Sequence, residues 1–431
     1  MTLLAGQRIK VEILGSSVEF SNQPLAVPMQ LSSGTISLLT EAKVTVHIRV
    51  AGRKATGRGS IYLSDLWAWP DPSLSHEIRD RCLRDFCLHL AKYLPTLCGG
   101  EAAHPLELAL RLHHSADILS FGPIPRLARA MAMSPFDAAI HDATGLALGR
   151  SAFRFFDQSE PIPSADFYFP EQGGACRAIN AMLRRPPRRE LKAWVIVNKN
   201  DDLPAALQPW VVQRGYRCLK LKLMGRDPAA DVARTVEAWR AALSLGATDV
   251  VLSVDTNEAN ADADSVREYL GRLREADRDA FEALAYLEQP TARDIRIAPF
   301  DWREVAGIKP VLLDEGLIDL EVMDEAVRQG WSGWALKTCK GHSFALVAAA
   351  WAWHRKMPLS MQDLTNPGLS LIHAALFAAH VPTINGVELN SPQFTPAANA
   401  LWLPRWSGLF EPQDGYHHLP GSAPVGLGSS L

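Results

Sequence analysis

Five short apolar runs in the second half of the chain end in residues that could do chemistry. They close on Lys220-Leu221-Lys222, Asp255-Thr256-Asn257, Glu288-Gln289-Pro290, Asp314-Glu315-Gly316, and Lys337 with Lys340 beyond it. If the runs are parallel strands, Asp255, Glu288 and Asp314 project from one rim and repel one another unless a cation compensates. Hard oxygen ligands, with waters completing an octahedron, favour Mg²⁺ over zinc, with Mn²⁺ as its substitute. One acid after a strand is more often a loop residue or a helix N-cap. Three on consecutive strands, flanked on both sides by strands that carry lysine, point to a metal site.

Lys220 and Lys222 are two residues apart and share one face of their strand. Ammonium groups buried side by side lower each other's pKa. A general base needs that, because a free lysine near pKa ~10 keeps its proton at pH 7. Lys337 stands four strands on, across a barrel mouth, where a bound substrate would meet a base on each face. Alone it would read as a surface lysine.

The elements that must position these residues alternate. Strands are expected at Ala193 to Val197, Cys218 to Leu223, Val250 to Val254, Ala283 to Leu287, Pro310 to Leu313, Trp334 to Leu336, Pro358 to Met361 and Thr383 to Val387. Between them lie amphipathic helices, one carrying Val232, Val236, Trp239 and Leu243, another Phe344, Val347, Ala348 and Trp351. Strand–helix alternation implies a parallel sheet, and eight strands in about 200 residues favour a closed barrel. No GxGxxG follows any strand, which argues against a doubly wound dinucleotide fold.

The first 155 residues have a different texture. Val44, Val46, Ile48 and Val50 alternate with Thr45, His47 and Arg49 as in a half-buried strand, and Gly52, Gly57 and Gly59 are expected at turns or bulges. From Ser75 to Asp142 the pattern is helical, with Ser134-Pro135 expected to open a helix. Residues 1–155 thus form an α+β domain and 156–404 the barrel. The Gly/Pro-rich, irregular stretch 405–431 is expected to pack back on the first domain.

The 431 residues are 47% hydrophobic and 21% charged, with formal net charge −3 from 44 basic against 47 acidic residues. That composition excludes a disordered chain and gives no support for nucleic-acid or anionic-membrane binding. No apolar window is long enough to span a bilayer, and Met1 to Gly6 turns polar too early for a signal sequence, so a cytoplasmic location is expected. The six cysteines form no CxxC pair and read as reduced, mostly buried thiols. Apolar helix faces on the barrel exterior suit a homo-oligomer.

In order and spacing, KLK (220–222), DTN (255–257), EQP (288–290), DEG (314–316) and LKTCKG (336–341) make the chain resemble the enolase superfamily, within it the muconate lactonizing enzyme subgroup. SPFDAAIHDATGLALGR (134–150) is similar to the helix that ends that family's capping domain, and EPQDGYHHLP (411–420) with GLG (426–428) to its C-terminal return segment. The resemblance implies a modified TIM barrel, (β/α)7β, with an α+β capping domain. It implies Mg²⁺ on Asp255, Glu288 and Asp314, Lys222 and Lys337 as bases on opposite faces, and Lys220 tuning Lys222 or meeting the substrate carboxylate. Their joint product is an enediolate made by removing a proton α to a small carboxylate. Glu388 in VELNSP (387–392) resembles the strand-eight glutamate of the lactonizing enzymes, and Asn257 joins it as a substrate contact. Specificity would lie in two capping-domain loops, near Ser21 to Ser33 and Gly59 to Pro70, where Trp67 and Trp69 could wall an apolar pocket.

The chain also departs from the family pattern. Gly341-His342 replaces the usual Gly-Gly, and Gly316 stands where Ser or Thr is commoner. Strand eight lacks the Asp-x-Asp of dipeptide epimerases, and strand seven ends in MQDLTN (361–366) without the racemase histidine. Asp363 there is expected to cap the next helix; Glu315 and Lys340 have no assigned role. Two opposed lysines suit a racemase or epimerase. They also permit a lyase of the o-succinylbenzoate synthase type or a lactonizing cycloisomerase, while a non-catalytic relative would lack one of these groups. Another metal-dependent barrel such as an aldolase would need a Schiff-base lysine or histidine ligands, and for the latter the histidines after strands are too few.

Overall fold

The structure, a computed structural model, describes residues 8–31, 33–421 and 424–430. The readings of Met1–Gly6, of Ser32 in the first expected loop, and of Ser422, Ala423 and Leu431 lie outside these residues.

Strands β1 (Val11–Leu31), β2 (Gly34–Val50) and β3 (Arg53–Tyr62) form an antiparallel sheet in that order. The alternation in β2 is as expected: Val44, Val46, Ile48 and Val50 are buried. Residues 21–31, expected as a loop, instead continue β1. They pair with β2 from Ser21↔Glu41 to Leu31↔Gly34, with a register shift between Pro24 and Met29 that absorbs a proline unable to donate to the ladder.

Gly52 sits in a turn at φ +76°, but Gly57 and Gly59 lie inside β3 rather than at breaks. They are glycine because the helix Arg126–Leu148 packs directly on them. A Cβ on Gly57 would lie 2.2 Å from the Ala139 carbonyl oxygen, and one on Gly59 2.1 Å from that of Pro135. Ser134-Pro135 sits within this helix rather than at its start. Pro135 cannot donate to the Met131 carbonyl, and Ser134 Oγ does so instead at 2.8 Å, which lets the helix run through.

Strand β4 (Glu190–Lys192) leads into a curled parallel sheet of seven strands: β5 (Trp194–Val197), β6 (Cys218–Lys222), β7 (Val251–Asp255), β8 (Leu284–Glu288), β9 (Val311–Leu313), β10 (Gly333–Lys337) and β11 (Leu359–Gln362), neighbours in chain order. The expected eighth strand, Thr383 to Val387, is not regular. Residues 387–388 fill its place through isolated parallel bridges, Gln362↔Glu388 on one side and Ala193↔Val387 on the other. Pro382 and Gly386 flank too short a run for a full ladder, and at Gly386 the Lys192 carbonyl approaches to where a Cβ would sit 2.1 Å away. In the helix Pro228–Ser244, Val232 of the expected stripe is buried and Val236 and Trp239 pack partly buried on the core, while Leu243 faces solvent and Thr235, Ala238 and Ala242 are buried instead.

The tail is more ordered than its composition suggests. A helix, Leu403–Phe410, precedes β12 (Tyr416–His418), which pairs with β4. The chain then packs on the helix Arg126–Leu148, whose Asp142 accepts from Leu427 N at 2.8 Å and from Ser429 Oγ. All six cysteines are free thiols, five of them buried. Among the described residues no helix is long and apolar enough to cross a membrane.

Candidate active site

Parallel register sets the site's residues side by side. Lys222 pairs with Asp255 and Asp255 with Glu288; Lys337 pairs with Gln362, which bridges to Glu388. All lie at C-terminal strand ends, where barrels carry function.

Each predicted metal carboxylate faces a predicted lysine. Lys222 Nζ is 2.5 Å from Asp255 Oδ2, Lys220 Nζ 2.8 Å from Glu288 Oε1, and Lys337 Nζ 2.6 Å from Asp314 Oδ2. Lys220 also reaches Asp255 at 3.2 Å and Glu388 at 3.1 Å. Lys340 donates to the Asp314 carbonyl at 2.5 Å and to Oδ1 at 3.1 Å. Asn257 accepts from Lys222 at 3.1 Å and donates to Glu315 Oε1 at 3.2 Å. All seven of these predicted residues therefore enter one buried network with Glu388.

The electrostatics correct one expectation. Lys220 is not lowered by its neighbours. Burial alone would lower it, but Glu288, Glu388 and Asp255 together hold it well above the ordinary lysine value. Lys337 is raised in the same way by Asp314 and Glu288. Burial raises Glu288 to about 7 against the pull of Lys220, and raises Glu315 to about 8 with help from Asp314 and Asp255. Asp255 is brought to about 2 because Lys222 and Lys220 outweigh its burial.

The donor set fits a hard divalent cation. Six buried carboxyl groups (Asp255, Glu288, Asp314, Glu315, Asp363, Glu388) stand with four buried ammonium groups (Lys220, Lys222, Lys337, Lys340), so with every carboxylate ionised the set is two positive charges short of balance. Among the described residues Glu315 Oε2 is buried with no hydrogen-bond partner. Among the described residues no three acidic, histidine or cysteine side chains converge as they stand, because each carboxylate turns to its lysine. A cation on Asp255, Glu288 and Asp314 would draw those counter-charges away from the lysines.

A narrow cavity opens onto Lys220, Lys222 and Lys337, with Glu388, Asn390 and Asp363 on its far wall. Its roof is apolar: Leu25, Met29, Leu31, Ile36 and Leu39 from the β1–β2 hairpin, with Trp67. The Trp67 ring centroid is 5.0 Å from Lys337 Nζ. Trp69 is buried too, but is not among the residues lining this cavity. Asp363 is no helix cap. Its carboxylate accepts from Thr365 N and Asn390 N, both at 3.0 Å, tying β11 to the 388–390 segment, while the next helix starts at Gly368.

Two glutamines went unread. Gln362 donates to Glu288 Oε2 and accepts from Lys220 at 3.3 Å. Gln289 Oε1 accepts from Asp314 N at 2.9 Å and Gly316 N at 3.0 Å, fixing the fifth strand end. Gln289 stands inside the EQP motif (288–290) and Gln362 inside MQDLTN (361–366), so both lie at strand ends that the sequence already marks.

Residues 202–431 match the family model described as enolase C-terminal domain-like. No curated relative matches at the level of sequence. Among solved structures, the chain is similar to an enolase from Bradyrhizobium complexed with magnesium and mandelic acid (18% identity, 97% of this chain and 95% of that one, TM-score 0.64). It is also similar to muconate lactonizing enzyme from Pseudomonas fluorescens complexed with muconolactone (19%, 97% and 96%, 0.65). A third is the dipeptide epimerase from Enterococcus faecalis complexed with Mg and L-Leu-L-Tyr (17%, 97% and 99%, 0.64). With its match to the family model over more than half its length and its curled parallel sheet behind an N-terminal antiparallel one, the chain is an enzyme of the enolase superfamily.

Proposed function

We propose that this enzyme is a racemase or epimerase that takes the proton α to the carboxylate of a small substrate, with Lys222 and Lys337 as the two bases. One observation carries the reading: the two lysines, four strands apart in the sheet, line one cavity. Asp255, Glu288 and Asp314 would hold Mg²⁺, or Mn²⁺ in its place. The ion, when bound, supplies Lewis-acid stabilisation of the enediolate charge. Lys222, steadied by Asn257, removes the proton of one enantiomer, and Lys337, steadied under Trp67, returns one from the opposite face. Lys220, which lines the same cavity, meets the substrate carboxylate. Glu388 and Asn390 face the rest of the substrate, and the apolar hairpin excludes water. Mandelic acid and a dipeptide in solved neighbours support a carboxylate substrate.

The test is solvent deuterium exchange with Mg²⁺ in D₂O, over both enantiomers of N-acyl amino acids, dipeptides and sugar acids. The expected result is mass gain at the α-carbon, reduced on the order of 10²–10⁴-fold in Lys222→Ala for one enantiomer and in Lys337→Ala for the other. Exchange that survives in both variants would overturn the two-base assignment, and a protein that does not bind Mg²⁺ would overturn the metal assignment.

A further inference from the structure

Asp137 lies fully buried on the helix Arg126–Leu148, far in sequence from the barrel lysines. Both of its carboxylate oxygens accept from one distant residue, Ser343 N donating to Oδ2 at 2.8 Å and Ser343 Oγ to Oδ1 at 2.9 Å, and His141 Nδ1 on the same helix lies 3.1 Å from Oδ1. Ser343 lies in the first turn of the helix His342–His354, where backbone N–H groups lack helical acceptors and favour negative charge. Just before it, Gly341 takes φ +111°, and a Cβ there would lie 2.1 Å from His113 Nε2 and 3.0 Å from Asp137 Oδ2. His342, in place of the family's second glycine, inserts its ring 4.7 Å from that of His141 and edge-on to Phe153 at 5.4 Å. Three consecutive residues, 341–343, are therefore locked to the first domain.

The other end of the same turn carries the site. Lys340 Nζ holds the Asp314 carbonyl and Oδ1, while Lys337 holds Oδ2. Asp314 is thus oriented by two lysines, Lys340 and Lys337, three and six positions before Ser343, the residue that a carboxylate from another domain holds. We infer that Asp137 is a positioning residue for the metal ligand Asp314, acting through Ser343 and Lys340. The inference rests on the reading of Asp314 as a ligand. When the anchor is lost, Lys340 no longer fixes the Asp314 carboxylate plane and cation binding weakens.

A purely structural tie would affect folding alone, and Asp142 provides the control. It lies on the same helix, equally buried, and accepts from Arg58 N at 3.0 Å and Leu427 N at 2.8 Å, away from the lysine turn. Calorimetric Mg²⁺ binding and thermal unfolding are measured on the full chain for wild type, Asp137→Asn, Ser343→Ala and Asp142→Asn. The expected result is about tenfold weaker Mg²⁺ binding in Asp137→Asn, as for other outer-shell partners of metal ligands, and a smaller loss in Ser343→Ala. Asp142→Asn lowers Tm while its Mg²⁺ affinity stays at the wild-type level. Unchanged affinity in Asp137→Asn, or an equal loss in Asp142→Asn, overturns the inference and leaves the functional reading standing. If Asp137→Asn does not fold, Ser343→Ala decides by the same criterion. A wild-type protein without Mg²⁺ affinity overturns the functional reading and this inference with it.

Discussion

Trp67 Nε1 donates to Glu315 Oε1 at 3.0 Å, joining residues 248 positions apart in sequence, and the same indole lies over Lys337. One side chain from the short helix after β3 therefore touches both Glu315, the acid beside Asp314, and Lys337. Phenylalanine at this position would keep a ring over the ammonium and remove the donor. Trp67→Phe is expected to lower the unfolding free energy by ~1–3 kcal/mol, since buried Glu315 then keeps only Asn257 as a donor to Oε1. Trp67→Leu should lose the ring contact as well and slow exchange from the Lys337 face more than from the Lys222 face. Denaturant unfolding and enantiomer-resolved exchange check this, and equal slowing from both faces would refute the ring's part.

Packing at β3 makes a second prediction. Gly59→Ala and Gly57→Ala must push the helix Arg126–Leu148 off the sheet, because the obstacles are backbone atoms and not flexible side chains. Overpacking of this kind costs ~1–3 kcal/mol or more. Gly52→Ala has open space around it and meets only the cost of its positive φ, about 1 kcal/mol. Urea midpoints should rank Gly52→Ala above both others. A Gly59→Ala protein as stable as Gly52→Ala would mean the helix does not sit on β3 as described.

Much of this was legible in the sequence, for a physical reason. Strand ends in a parallel barrel converge on one rim, so the residue types at Lys222, Asp255, Glu288, Asp314 and Lys337 carry their own placement once the alternation is read. Contacts between elements distant in sequence leave no periodic trace. The Asp137–Ser343 tie, the close approach at Gly59 and the continuation of β1 through 21–31 all depend on which surfaces meet. Ser134-Pro135 misled because its local signal for a helix start is real, and is overridden by a serine that replaces the missing donor. The lysine electrostatics misled for a related reason. Lys220 next to Lys222 reads as repulsion, but three carboxylates from other strands stand closer to its charge.

Buried histidines set the acid limit of the fold. Burial holds His104 and His373 down to about 3, and His113 and His417 down to about 4, so each stays neutral in the folded chain at pH 5. In the unfolded chain they titrate near ~6.5. Between those values the unfolded state binds more protons, so stability is complete above about pH 6.5 and falls as pH drops toward the folded value. Glu288, Glu315 and Asp363, raised by burial to about 7, 8 and 7, act with the opposite sign over part of this range. A single variant compared with wild type cancels them. His373 serves best, because burial alone lowers it and its Nε2 has no hydrogen-bond partner among the described residues. In urea unfolding between pH 7.5 and 5, His373→Leu is expected to lose stability less steeply than wild type, by up to ~1.4 kcal/mol per pH unit below the unfolded value. Parallel curves for the two proteins would show that His373 is charged, or solvated, in the fold.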